Sequence, residues 1–176
     1  MKRKLSLLLA LLTLSNFCVF GQSKQGVKPK IDDTKLISAF DFCVGDWEVS
    51  WMAPDSTKVV GSNKVIKILD GKVIQENFVD PSRNFKGTSI SVFNPRTKEW
   101  SQAWVDNNGG FYDFVGEIDG DMKIFKTKEK DARGALYRMV FNDIKKDSFI
   151  WRWQGIRDGW DEWKTVWEIK YKRTKN

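Results

Sequence analysis

From Gly45 onward, apolar and polar residues alternate with a period of two, and turn residues interrupt the alternation about every 8–12 positions. A period of two sends successive side chains to opposite faces, so each run is a strand with one face for a core and one for water. No run beyond Gly45 sustains an apolar period of 3.6, which argues against a parallel sheet with crossover helices. The runs begin with the alternation of Trp47, Val49 and Trp51 against Glu48, Ser50 and Met52. They continue over 58–69, 72–79, 87–93, 98–106, 111–118, 122–127, 135–144, 148–156 and 160–172. Asp70-Gly71 predicts a type I′ hairpin turn, because both central residues of that turn need positive φ. Asn107-Asn108-Gly109-Gly110 is the strongest turn signal in the chain. Ten short strands joined by sequential hairpins predict an all-β fold, a single antiparallel up-and-down β-barrel. Closure removes the exposed edges that so long a sheet would otherwise carry. A short helical turn is expected within residues 35–43, just ahead of the first strand.

The first residues read as an address. Lys2-Arg3-Lys4 precedes a Leu-rich apolar run from Leu5 to Leu14, and the segment ends at Phe20-Gly21. That order predicts a secretory signal peptide over 1–21, cleaved near Gly21. The apolar run is shorter than the roughly 20 residues of a membrane span. Cys18 follows Ser15-Asn16-Phe17, and bulky Phe17 stands where a lipoprotein box needs a small residue, so lipidation is the lesser expectation. Residues 22–37 read as a flexible lead-in and 38–173 as the barrel domain. The expected location is therefore the periplasm or the extracellular medium.

Removing 1–21 leaves 155 residues and lowers the net charge from +7 to +4, since three cations and no acids are lost. A mild positive charge with acids interspersed is not a nucleic-acid footprint. The processed chain keeps one thiol, Cys43, so no internal disulfide is expected and the core must stabilise the fold alone. Cys43 sits in an apolar string, Phe40-Asp41-Phe42-Cys43-Val44, and reads as a small buried hydrophobe.

The chain has no His. That excludes Ser-His-Asp and Cys-His nucleophilic mechanisms and any His-ligated zinc, iron or haem. Acid–base chemistry would fall to Asp, Glu, Lys, Tyr or Cys43. Asp119-Gly120-Asp121 is too short for a calcium loop, and no Gly-rich phosphate loop precedes a helix. No cofactor is expected.

Several segments resemble a known family. Gly45-Asp46-Trp47 resembles the Gly-x-Trp opening of lipocalins and other calycins. The stretches Gly87 to Pro95 and Trp100 to Gly110, with Leu69-Asp70-Gly71 and Glu76, are similar to the core pattern of a family of small secreted bacterial lipocalin-like proteins. The resemblance spans about 38–173. It implies a calycin-type barrel whose first-strand Trp plugs the closed end, and it implies no settled activity. Many secreted lipocalins carry disulfides that this chain lacks. Haem-binding relatives hold iron through His, which is absent here.

Strand parity sorts the candidate site. Ser89 and Ser91 share a face with Phe93 on the fourth strand, and Trp100, Gln102, Trp104 and Asp106 share one on the fifth. If a four-residue turn places Phe93 opposite Lys98, the two faces merge. Glu76, with Ile74 and Phe78, joins them from the third strand. Arg152 could pair with Glu76 or receive an anionic ligand if its face points inward, and is a solvated charge if it points outward. Trp163, Thr165, Trp167, Ile169 and Tyr171 share a face of the last strand. They read as core, as do Trp151 and Trp153, whereas Trp160 reads as a rim residue. The expected ligand-binding set is Glu76, Ser89, Ser91, Trp100, Gln102, Trp104, Asp106 and Arg152. Two readings of this surface stand: a cup for a small, partly apolar molecule, or a packed core whose polar atoms satisfy one another. The expected function is small-molecule binding in the barrel interior. The alternatives are a carboxylate-dependent enzyme using Glu76 and Asp106 in the same cup, and an envelope interaction module with no internal ligand. The sequence leaves the oligomeric state open.

Overall fold

The structure, a computed structural model, describes residues 33–175. The expected signal peptide, Cys18 and the first part of the lead-in lie outside the described residues. A short helix, α1 (Asp33–Ile37), and a 3₁₀ turn (Asp41–Cys43) precede ten strands. These are β1 (Gly45–Met52), β2 (Lys58–Ile68), β3 (Val73–Asp80), β4 (Phe85–Asn94), β5 (Glu99–Asp106), β6 (Phe111–Asp119), β7 (Met122–Thr127), β8 (Ala135–Lys145), β9 (Ser148–Arg157) and β10 (Lys164–Arg173). Each strand pairs antiparallel with its neighbours in the chain, and β1 pairs with β10 to close the barrel. The fold class read from the sequence is thus the observed one. α1 falls in the last residues of the expected lead-in. It is tied to the barrel wall, because Trp100 Nε1 donates to the Leu36 carbonyl at 2.7 Å.

Turn chemistry sets the registers. Asp70 and Gly71 have φ of 56° and 76°, as a type I′ turn requires, and the Lys72 N–H bonds the Leu69 carbonyl at 3.1 Å. Leu69 is left-handed too, so pairing resumes at Ile68 and Val73. Between β4 and β5 the turn occupies 95–98, with Lys98 at φ 60°. Phe93 therefore faces Trp100 and not Lys98. The slip is two residues, so every side chain keeps its face.

The hairpins distribute their turns over two ends. The loops at 69–72, 95–98, 120–121 and 146–147 mark one end, which the N-terminal turns plug. There Phe40 stacks on Phe125 with ring centroids 4.3 Å apart and meets Trp100 edge-on at 5.1 Å. Trp47 packs edge-on against Phe149 and donates from Nε1 to the Cys43 carbonyl at 2.7 Å. The Arg173 guanidinium covers the Trp47 ring at 4.1 Å and donates to the Val44 carbonyl at 2.9 Å. Gly45 accommodates this staple: its φ is 142°, and a Cβ there would lie 2.0 Å from Arg173 Nη1. The first-strand Trp thus closes this end, as the resemblance implies.

The loops at the other end are 53–57, 81–84, 107–110, 128–134 and 158–163. Two of them lock together, because the Asn107 side chain accepts from the Lys86 N–H at 2.9 Å and donates to the Asn84 carbonyl at 2.7 Å. Asp106 caps its own turn, accepting from the N–H groups of Asn108 and Gly110. Among the described residues, no helix is long and apolar enough to cross a membrane.

Candidate functional site

The lumen holds two adjoining chambers that share Glu76 and Tyr171. The upper one, toward the open end, is a cavity of about 180 Å³. Its walls are aromatic because the inward positions of six strands carry Phe78, Phe85, Trp104, Tyr112, Phe114, Trp151, Trp153 and Trp167. Trp153 is held on several sides: Tyr137 stacks on it at 5.3 Å, and Tyr112 and Phe114 meet it edge-on at 5.5 and 6.0 Å. Tyr137 in turn donates its hydroxyl to Asp131 at 3.0 Å. Trp167 packs edge-on against Trp51, Phe78 and Trp151. At the mouth the Arg83 guanidinium sits 5.4 Å above the Trp167 ring, and its Nε bonds the buried carboxylate of Asp80 at 2.7 Å. Walls pinned in this way resist collapse into the space they enclose.

The lower chamber is small, about 30 Å³, and polar on one side. Asn63, Glu76, Ser89, Ser91 and Gln102 meet there. Pairing explains why they meet: Glu76 faces Ser89 across β3–β4, and Ser91 faces Gln102 across β4–β5. Glu76 accepts from Ser89 Oγ at 2.8 Å and from Asn63 Nδ2 at 2.6 Å. Gln102 Nε2 donates to Ser91 Oγ at 2.9 Å and Ser89 Oγ at 3.2 Å, and Asn63 Nδ2 also donates to the Tyr171 hydroxyl at 3.0 Å. Burial pushes the Glu76 carboxyl above the ordinary carboxylate range, against the opposing pull of the bonds from Ser89 and Asn63. Burial also pushes the Cys43 thiol well up, helped by the negative charges of Glu76 and Asp41. Cys43 is therefore a neutral apolar lining group, and its thiol is not activated.

Of the residues expected at the site, Glu76, Ser89, Ser91, Gln102, Trp104 and Asp106 do face the lumen. Their roles differ. Asp106 stands at the mouth with its carboxylate engaged by its own turn and by Trp104 Nε1 at 3.2 Å. It lies two strands and two ladder positions from Glu76, a Cα separation of about 12 Å. Trp100 lines neither chamber and packs beneath them against Phe40 and Phe93. Arg152 is on the outer face, bonded to Glu168 at 2.8 Å and to Asn142 Oδ1 at 2.7 Å, and takes no part in the lumen. Its parity puts it opposite Trp151 and Trp153, so the inward option for Arg152 is ruled out.

A bulge corrects the face of the last strand. Thr165 pairs with Gln154 and Trp167 with Trp153, so the register shifts between them and exposes Val166. Thr165 and Trp163 then turn outward, where Thr165 Oγ1 accepts from Gln154 and Trp163 lies under the Arg138 guanidinium at 4.3 Å. Trp167, Ile169 and Tyr171 stay inside. Trp160 stays on the open-end loop, between Arg157 and Lys164 at 4.6 Å each.

The aromatic wall of Trp151, Trp153, Trp167, Tyr112 and Phe78 was not among the expected ligand-binding residues, nor was Asn63. Parity alone marks Asn63: Val59, Gly61, Asn63 and Val65 share a face, and one polar member on an apolar face is a buried polar group. For the Trp residues no sequence signal separates a wall from a filled core.

Among curated proteins, none matches the chain. A ten-stranded antiparallel barrel fits a lipocalin-like architecture, and the segments that suggest one coincide with the family match. The chain belongs to the family described as protein of unknown function, DUF1579, whose pattern matches residues 38–173.

Proposed function

We propose that this chain is a secreted lipocalin-like protein, exported by residues 1–21 to the periplasm or beyond, that binds a small and largely apolar molecule in its upper chamber. The observation that supports this most is a cavity of about 180 Å³ walled by aromatic rings, with Glu76 at its base. An apolar cavity of about 150 Å³ accommodates a benzene-sized guest, so this one suits a ring with a short substituent. Barrel mouths are favoured ligand sites, and an apolar lining with few polar groups is their usual composition. The engagement of the Asp106 carboxylate by its own turn and by Trp104 Nε1 favours binding over a two-carboxylate reaction.

Four Trp residues line the cup, so bound guests change the intrinsic emission. Titration of the purified protein with small aromatic compounds, read by fluorescence and calorimetry, tests the proposal. Trp153→Ala is expected to weaken the tightest guest at least tenfold, and Trp163→Ala, on the outer face, to leave it unchanged. Equal effects from both variants would refute a site in the cup.

A further inference from the structure

At the base of the cup two buried carbonyl oxygens have no hydrogen-bond donor. The bonding pattern there starts at Glu76, whose two oxygens accept from Ser89 and Asn63. Ser89 gives its only proton to that carboxylate, so its oxygen must accept, and Gln102 therefore turns its nitrogen toward it. Gln102 Oε1 is left with no partner in the protein. The same logic holds at Asn63: its nitrogen serves Glu76 and Tyr171, and its Oδ1 has no partner. Asn63 is 2% exposed and Gln102 5%, so neither carbonyl reaches bulk water. Among the described residues, no Lys or Arg forms an ion pair with Glu76. A buried carboxylate and two residues with unpartnered carbonyl oxygens thus line one small chamber that adjoins the aromatic one.

We infer that the cup selects a ligand with a cationic, donor-rich head, a primary ammonium on a short aromatic body, with the head beside Glu76 and the body between Trp151, Trp153 and Trp167. This rests on the proposal that the cup binds a small molecule, and adds the chemistry of the head group. An ammonium has three donors and no acceptor, which complements a carboxylate and two carbonyls. The lower chamber, at about 30 Å³, takes one or two water-sized groups, and an ammonium is of that size. Aromatic faces around the approach attract a cation through their quadrupoles. A carboxylate head would meet the like charge of Glu76 and two carbonyl oxygens, with the Ser91 and Tyr171 hydroxyls as its donors. A hydroxyl head could serve a single acceptor.

Calorimetry on the purified protein with 2-phenylethylamine, 2-phenylethanol and phenylacetate separates the cases at neutral pH. The amine is expected to bind at least tenfold more tightly than the alcohol, with phenylacetate weakest. Glu76→Gln should bring the amine to the level of the alcohol and leave the alcohol within about twofold of its original affinity. Gln102→Leu, which removes one unpartnered carbonyl and leaves the carboxylate, should lower the amine's advantage several-fold, and serves if Glu76→Gln does not fold. An amine that binds no better than the alcohol, or whose advantage survives both substitutions, overturns the inference and leaves the cup standing. Failure of all three probes to bind overturns the cup itself, and the inference with it.

Discussion

Gly87 and Trp104 form a pair whose coupling reports on the cup's wall. A Cβ at Gly87 would lie 2.0 Å from Trp104 Cζ2 and 2.4 Å from Cη2. Carbon atoms in contact need about 3.5 Å or more, so the ring must retreat by about 1.5 Å in Gly87→Ala. The indole is not free to do so. Its Nε1 donates to Asp106 Oδ2 at 3.2 Å, and it stacks on Phe85 with centroids 6.4 Å apart. Overpacking costs about 1–3 kcal/mol, and weakening a bond to a carboxylate adds about 1 kcal/mol or more. Gly87→Ala is therefore expected to destabilise by about 2–4 kcal/mol. In a Trp104→Ala background the obstacle is gone. Gly87 has no positive φ, so the same substitution then only restricts the unfolded chain and stabilises by about 0.4–1 kcal/mol. The sign reverses between backgrounds, a coupling of about 3 kcal/mol that urea denaturation of the four proteins measures directly. A Gly87→Ala effect of equal sign and size in both backgrounds would refute the seating of Trp104 on Gly87.

Three further outcomes follow from the geometry. Because burial raises the Glu76 pKa in the folded state, the native protein binds more protons than the unfolded chain between the two values. Stability should fall as pH rises from the ordinary carboxylate range to that raised value and level off above it; Glu76→Gln should lack this fall, and a wild-type-minus-variant difference that does not change with pH contradicts it. Asp80, with burial opposing but bonds from Ser82 and Arg83 prevailing, is held below the ordinary carboxylate range. Asp80→Ala should cost about 1–3 kcal/mol at neutral pH by removing the cap on Pro81–Arg83, and this loss should shrink as pH falls through the carboxylate's depressed folded pKa; a neutral substitution in denaturant melts contradicts it. Arg173→Lys keeps the charge but loses the planar group that covers Trp47 and reaches the Val44 carbonyl, so a loss of about 1–2 kcal/mol is expected. No shift in the thermal midpoint would show that the closed end does not depend on this staple.

Much of the barrel was legible because its determinants are local. Asp70-Gly71 and the Asn107 to Gly110 turn mark chain reversals through backbone conformations that few residues tolerate. Alternation on β3, β4 and β5 placed Glu76, Ser89, Ser91 and Gln102 on one surface, and the two-residue register slip at 95–98 left that surface intact. What the sequence concealed depends on non-local detail. The bulge between Thr165 and Trp167 carries no Gly or Pro to announce it, yet it turns Trp163 and Thr165 outward. The inward or outward choice for Arg152 depended on which face of β9 meets Met139, a fact of pairing. Trp100 and Trp104 share a strand face, but the N-terminal plug packs against Trp100 at the closed end and leaves Trp104 beside a cavity. Volume is a property of the closed barrel, and no single strand encodes it.

The most direct test of the central claim is electron density from crystals of the protein soaked in 2-phenylethylamine. The account predicts the ring among Trp151, Trp153 and Trp167, with the nitrogen about 3 Å from the Glu76 carboxylate. A lumen filled by its own side chains, with the probe absent or on the outer face, would contradict it.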